Sequence, residues 1–533
     1  MKKLVVAMVL LSLASLLIAG GARSESPTTP SGPSDRNGGV LVFARSGDSV
    51  SLDPGRETDG ESFYPATAIF DTLVEFKPGT TEVQPALAES WDVSADGLTY
   101  TFNLRSGVTF HDGTPFNADA VKFTFERMFI ETHPAAAFGP YKYWGYMDMS
   151  NIVESIDVVS GLQVRFNLKK PEAPFVANLA MDFAAIVSPT AVIAKGADFA
   201  FEPIGTGPFK FVQWIKDDNI IVEKNTNYWR RPAYLDRIIF KVIPDATARY
   251  LALQKGEVDI IDFPSIQDLA DMQTRSGIKL INQEGLNVGY LAFNNDREPF
   301  GNKLVRQALN YAVNKQEIID AVYGQAGTAA KNPIPPGMWS YNDDVEDYPY
   351  DPAQARALLA EAGYPNGFTT TIWAMPVVRP YNPNGRKVAE ILQANFAAVG
   401  VQAEIVSYEW GTYLDKTDTG EHDMALLGWT GDNGDPDNFL NVLLSIPAAT
   451  PPAGNIAFWR NEEFNDLIQQ AKEEPDQARR TALYEEAQVI FKEEAPWITL
   501  AHSLVYSAMR DEVMDFVLYP TGKRVFYDVW LNE

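Results

Sequence analysis

Apolar positions along the chain follow two rhythms, one changing to the other near Gly285. In the first stretch short alternating runs dominate and predict strands. Val40-Leu41-Val42-Phe43-Ala44 opens the folded part as a strand. Two runs flank Asp96-Gly97, a hairpin signal, and place Tyr100, Phe102 and Leu104 on one face. Runs at 152–159 and 164–168 predict a second hairpin, and 220–223 and 238–243 two further strands. Helical spacing is confined here to 117–129, with Val121, Phe125 and Met128 on one stripe, and to 246–255.

Beyond Gly285 longer helices alternate with strands. One helix is predicted over 304–323, on Val305, Leu309, Ala312 and Val313. Another starts at Asp351-Pro352, an N-cap and a first-turn proline, and stops before Gly363. Strand 370–374, helix 386–399 ended by Gly400, and strand 401–407 follow. Then come strand 423–427, helices at 463–472 and 476–493, and a largely apolar run at 496–509 that predicts a strand returning to the first part of the fold. Alternation of this kind describes an α/β protein, and open α/β sheets place ligand sites in loops at strand ends. The Gly- and Pro-rich run Pro203-Ile204-Gly205-Thr206-Gly207-Pro208-Phe209 has no phosphate-loop lysine and opens no helix, so it is a crossover between domains rather than a nucleotide site.

Composition narrows the function classes. At 533 residues the chain holds two or three domains, and its net charge of −26 disfavours nucleic acid and anionic membranes as partners. No cysteine is present, which excludes disulfides, thiolate metal sites and a cysteine nucleophile. The four histidines, His111, His133, His422 and His502, show no metal-ligand spacing, and His111-Asp112 reads as part of a structural hairpin. A charged start at Met1-Lys2-Lys3, an apolar run over 4–18 and small residues at Ala19-Gly20-Gly21-Ala22 predict a cleaved signal peptide, residues 1–24. Gly21 stands where a lipoprotein would carry its acylated cysteine, so a soluble exported protein is expected, with a disordered leader over 25–39.

The densest chemistry lies in Gly428-Trp429-Thr430-Gly431-Asp432-Asn433-Gly434-Asp435-Pro436-Asp437-Asn438-Phe439, after the apolar strand Met424-Ala425-Leu426-Leu427. Its glycines permit close approach and Asp435-Pro436 enforces a turn. A calcium loop starting at Asp432 would need Gly and Glu where Asp437 and Leu443 stand, so it is excluded. Taken singly, Asp432 could also cap a turn, Arg379 form a structural ion pair and Trp429 fill a core, while Asp435 and Asp437 read as turn residues.

The run from Trp91 through Phe116, the Pro203 crossover and Gly285-Leu286-Asn287-Val288-Gly289-Tyr290-Leu291 resemble the extracellular solute-binding proteins of peptide and nickel ABC transporters, family 5. Ala374-Met375-Pro376-Val377-Val378-Arg379-Pro380-Tyr381-Asn382-Pro383-Asn384 and the Gly428 run resemble dipeptide-binding members most. The resemblance implies a two-lobed, three-domain periplasmic-binding-protein fold of class II type, in the peptide-binding cluster, with the ligand cleft between lobes. Domain I is expected from 40–66, 205–285 and 510–533, domain II from 67–204 and domain III from 286–509.

It further implies that Asp432 holds the peptide α-ammonium and Arg379 its carboxylate, with Trp429, Thr430, Gly431 and Tyr381 around them. Thr58, Asp59 and Gly60 correspond to a segment that hydrogen-bonds the ligand backbone, although Thr58-Asp59-Gly60-Glu61 is more acidic here than in the family pattern. A zwitterionic peptide buried without opposite charges would cost several kcal/mol, which a carboxylate and a guanidinium fork offset. The expected protein is therefore a monomeric, non-enzymatic periplasmic binder of dipeptides, without cofactor, that delivers them to membrane permease subunits. Haem, glutathione or a longer peptide is the alternative ligand within the family, and a secreted hydrolase a remote alternative outside it.

Overall fold

The computed structural model describes residues 36–532. The signal peptide expected over 1–24, and the leader as far as residue 35, lie outside them.

The opening strand Val40–Arg45 sits inside a mixed twelve-stranded sheet. On one side it pairs in parallel with Arg237–Val242, which continues through Asn219–Lys224 to Phe209–Ile215. On the other it meets Ile260–Asp262 and then the strand Trp497–Arg510. That strand is 14 residues long and serves two halves of the sheet. Its C-terminal part pairs with Ile260–Asp262 and Ile278–Glu284, and its N-terminal part with Asn287–Phe293. Beyond Asn287–Phe293 lie Met424–Thr430, Thr369–Trp373 and Gln402–Val406.

Two chain segments therefore pass between the halves side by side. Where they cross, the buried Asn287 side chain donates to the Ser503 carbonyl (2.8 Å) and accepts from the Ser503 N–H (3.0 Å), while His502 Nδ1 lies 2.8 Å from the Asn287 carbonyl. These bonds satisfy polar groups that a buried crossing would otherwise leave unpaired.

Residues between the first strand and the Pro203 crossover build a separate antiparallel sheet in the order Ala88–Val93, Thr99–Leu104, Gln163–Leu168, Val153–Ser160. Tyr100, Phe102 and Leu104 are buried, as their alternation predicts. Gly97 takes the left-handed conformation in the hairpin turn. Asp351 caps the helix Pro352–Glu361 by accepting from the N–H groups of Ala353 and Gln354. The His111 ring lies 3.0 Å from the Gly207 carbonyl, a structural contact in keeping with its reading.

Two expectations are corrected. The helix predicted over 304–323 breaks after Lys303–Ala312, because Asn314 caps a new turn, Lys315–Ile318, followed by a π-helical turn Ile319–Tyr323. Apolar periodicity persists through this break, so the pattern did not show it. The strand predicted to end at 427 runs to Thr430, making Gly428, Trp429 and Thr430 strand rather than loop.

Candidate functional site

Extension of that strand carries its last side chains into a partly open cavity of about 110 Å³. The cavity is lined by Thr58, Asp59, Gly60, Arg379, Tyr381, Trp429, Thr430 and Asp432. These are all the nominated residues except Gly431. A side chain at Gly431 would come within 2.4 Å of the Phe439 ring, so this glycine serves packing behind the wall. Gly428 serves the same end for Tyr381, whose ring lies 2.2 Å from where a β-carbon would stand. Burial pushes the Tyr381 phenol up to about 12, keeping it neutral.

Asp432 follows the strand, lines the cavity and is half-buried overall. Its carboxylate accepts a hydrogen bond from Tyr143, which comes from the chain segment that builds the separate antiparallel sheet. Its N–H donates to Asn438 Oδ1 (2.8 Å), which also accepts from Trp429 Nε1 (3.0 Å). Asn438 Nδ2 in turn donates to the Tyr143 hydroxyl (3.0 Å), leaving that hydroxyl's own proton for Asp432. Burial pushes the Asp432 carboxyl up to about 7, opposed by the Tyr143 hydrogen bond and Lys523 and reinforced by Asp182. Lys523 is itself paired with Asp182 at 2.5 Å. A carboxylate held by neutral donors in this way is a receptor for a cation.

Arg379 is differently placed. Its guanidinium donates to Asp59 Oδ1 at 2.7 Å, to Glu61 Oε1 at 3.2 Å and to the Val378 carbonyl at 2.9 Å. It also stacks over Trp410, 5.3 Å from the ring centre. Burial disfavours its charge, but Asp59 and Glu61 outweigh that and raise its pKa above the ordinary value. Glu61 is shared with Arg45, and burial raises its carboxyl against the pull of both arginines. Asp59, expected among groups that hydrogen-bond a ligand backbone, is thus an ion-pair partner of Arg379.

Sequence reasoning missed Tyr143, Asn438, Trp410 and Arg524, and placed Glu61 only as the last member of the ligand-facing Thr58–Glu61 segment. Arg524 lines the cavity and is paired with Asp262 at 2.9 Å, both fully buried. Only the acidity of the Thr58-Asp59-Gly60-Glu61 run hinted at any of these contacts.

The remaining loop aspartates are more than turn residues. Asp435 accepts from the Asp437 N–H, as a turn requires, but also pairs with Arg480 at 2.8 Å. Asp437 opens the helix Asp437–Leu444 fully buried, 3.8 Å from Lys472, which lies 3.5 Å from Glu172. Burial raises both carboxyls. Together with Lys142 on Asp418 (2.8 Å) and Asn433 on Asn178 (2.7 Å), this cluster ties the 67–204 segment to the 286–509 segment around the cavity.

Residues 82–450 match the family model for bacterial extracellular solute-binding proteins, family 5. The chain belongs to this family. Among curated relatives, the dipeptide-binding protein of Escherichia coli is 46% identical over 504 residues, covering 92% of this chain and 94% of its own. Heme-binding protein A of Haemophilus influenzae is 42% identical, covering 97% and 98%. Among solved structures, the ABC transporter-associated periplasmic binding protein of Helicobacter pylori in complex with the peptide STSA is 41% identical. It superposes with a TM-score of 0.89 over 94% of this chain and 99% of its own. The fold is thus the two-lobed α/β architecture of family 5, a family of solute-binding proteins rather than enzymes.

Proposed function

We propose that this protein is a periplasmic binding protein that captures a dipeptide between its lobes and presents it to the permease of an ABC importer. One observation carries the reading: one and the same cavity is lined by both a carboxylate with neutral donors, Asp432, and a guanidinium, Arg379. The α-ammonium of the peptide sits on Asp432 and its carboxylate on Arg379. Thr58, Asp59, Gly60 and Thr430 meet the peptide between them, and Tyr381 and Trp429 exclude water, which strengthens both charge contacts. The expected three domains (40–66, 205–285 and 510–533; 67–204; 286–509) give the lobes, hinged where the strands cross at Asn287 and Ser503. The monomer closes by hinge motion, and the permease recognises the closed form. Nothing in this scheme calls for catalysis.

A cavity of about 110 Å³ suits a small ligand, below the ~300–1,000 Å³ of pockets that take drug-sized molecules. Isothermal titration with a dipeptide, its N-acetyl form and its C-terminal amide tests the scheme. Unequal affinities are expected, with the N-acetyl form weakest, and three equal affinities would sink it. The 42% identical haem-binding relative supports a second reading. A visible absorption band on titration with haem would favour it.

A further inference from the structure

Behind the Thr58 to Gly60 wall, Arg379 is one of four buried arginines. It is bound by Asp59 and Glu61, Arg45 by Asp48 and Glu61, and Arg524 by Asp262. Arg249, on the helix Ala246–Lys255, is held by the carbonyls of Asp262 and Phe263 and interacts with Glu61 and Asp262. Asp48, Asp59, Glu61 and Asp262 therefore balance Arg45, Arg249, Arg379 and Arg524 before any ligand arrives. The other titratable groups facing the set are Tyr64, Tyr381, Glu57 and the exposed Asp245, which acts on Arg249 from outside the buried set. Burial keeps both phenols neutral and pushes the Glu57 carboxyl up to about 8, with Asp59 adding to the effect. Asp432 lies across the cavity with separate partners.

A peptide carboxylate, with an ordinary pKa of about 3.3–3.7, is ionised at neutral pH. Placed on Arg379 it becomes a ninth charge in a balanced buried set of eight. An uncompensated anion there is strongly disfavoured, since burial removes the water that would solvate it. The structure contains a way to avoid this cost. Asp59 Oδ2 and Glu61 Oε2 are both buried and have no hydrogen-bond partner. A proton on either oxygen removes the surplus charge, and on Asp59, which lines the cavity, it turns a competing acceptor into a donor toward the ligand.

We propose that Asp59 and Glu61 set the charge specificity of this side of the cavity: a peptide carboxylate binds Arg379 together with one proton taken up by the Asp59 and Glu61 pair, whereas a carboxamide binds there without one. The proposal rests on the peptide reading above. Its sign follows from linkage. Binding that takes up a proton is strongest at low pH and weakens as pH rises.

Titration calorimetry of the full chain with alanyl-alanine and with its C-terminal amide, in buffers of different ionisation enthalpy near pH 7, counts the protons. Both peptides present the same ammonium to Asp432, so exchange at that residue cancels in the difference. The acid is expected to take up about one proton more than the amide, and its affinity relative to the amide to fall as pH rises, by about tenfold per pH unit wherever a full proton is taken up. In the double variant Asp59→Asn, Glu61→Gln the difference in proton count disappears and the acid gains on the amide. Equal proton counts in the unmodified protein, with a ratio independent of pH, would overturn the proposal while leaving peptide binding standing. Binding of neither peptide would overturn the peptide reading and this inference with it. The measurement on the unmodified protein decides the matter even if the double variant does not fold.

Discussion

Asp432 and Arg379 line the same cavity, yet their surroundings are built on opposite plans. Asp432 is one carboxylate among neutral donors, with Tyr143 and its own N–H secured by Asn438. Its nearest cation, Lys523, is spent on Asp182. Arg379 has two carboxylates within 3.2 Å, Asp59 and the Glu61 it shares with Arg45. A residue of this kind can be a ligand contact and a structural ion at once, and the two roles compete for the same N–H groups. At Asp432 the protein leaves charge for the ligand to complete. At Arg379 it completes the charge internally, which stabilises the ligand-free fold and reduces what an anion can gain there.

The sharpest way to break this contrast is to remove each charge and ask whether folding or binding suffers. Arg379→Met leaves Asp59 and Glu61 buried without their shared cation, and unfolding in urea should show a loss of about 3–5 kcal/mol. Adding Asp59→Asn and Glu61→Gln should restore most of it. Asp432→Asn should behave in the opposite way. Stability should hold, while affinity for dipeptides with a free amine falls roughly 10- to 100-fold by titration calorimetry, the worth of a charged hydrogen bond. Binding of the N-acetyl dipeptide should be unchanged by it. If Asp432→Asn unfolds the protein while Arg379→Met does not, the comparison is reversed.

A pH series sharpens the Asp432 side alone. With its carboxyl at about 7, binding of a dipeptide amide should strengthen about tenfold per pH unit up to that point and weaken again above about pH 8, since an ionised carboxylate must meet a protonated amine. The same raised value acts oppositely on the ligand-free fold. Its contribution to stability is fully present below the ordinary carboxyl range and is lost as pH rises through about 7. The smallest effect is expected from Tyr143→Phe, which deletes one donor to Asp432 and should cost about 1 kcal/mol of affinity. Because that hydrogen bond opposes the upward shift of the carboxyl, the midpoint of the pH series should also move higher.

Much of the frame was legible in the chain because it rests on local signals. Asp351 and Pro352 announce a helix start through capping geometry, and Asp96-Gly97 a hairpin through its turn, whatever lies elsewhere. Helix 304–323 misled because Asn314 competes with the backbone as a cap while the apolar stripe runs on past it. Within the site, Trp429, Asp432, Arg379 and Tyr381 all reached the cavity as their motifs suggested, but Gly431 did not, since its role is to admit the Phe439 ring.

Sequence by itself determined that Asp432 and Arg379 carry charge into the cavity, because a strand end and a short motif deliver them locally. It could not determine what those charges already hold. Arg379 meets Asp59 across 320 positions and Tyr143 meets Asp432 across 289, so no window of the chain contains either pair. Charge attraction in a buried site depends on distance and on exclusion of water, and both are set only when the lobes pack. The tertiary structure therefore decided that one charge stays open to a ligand while the other is compensated within the fold.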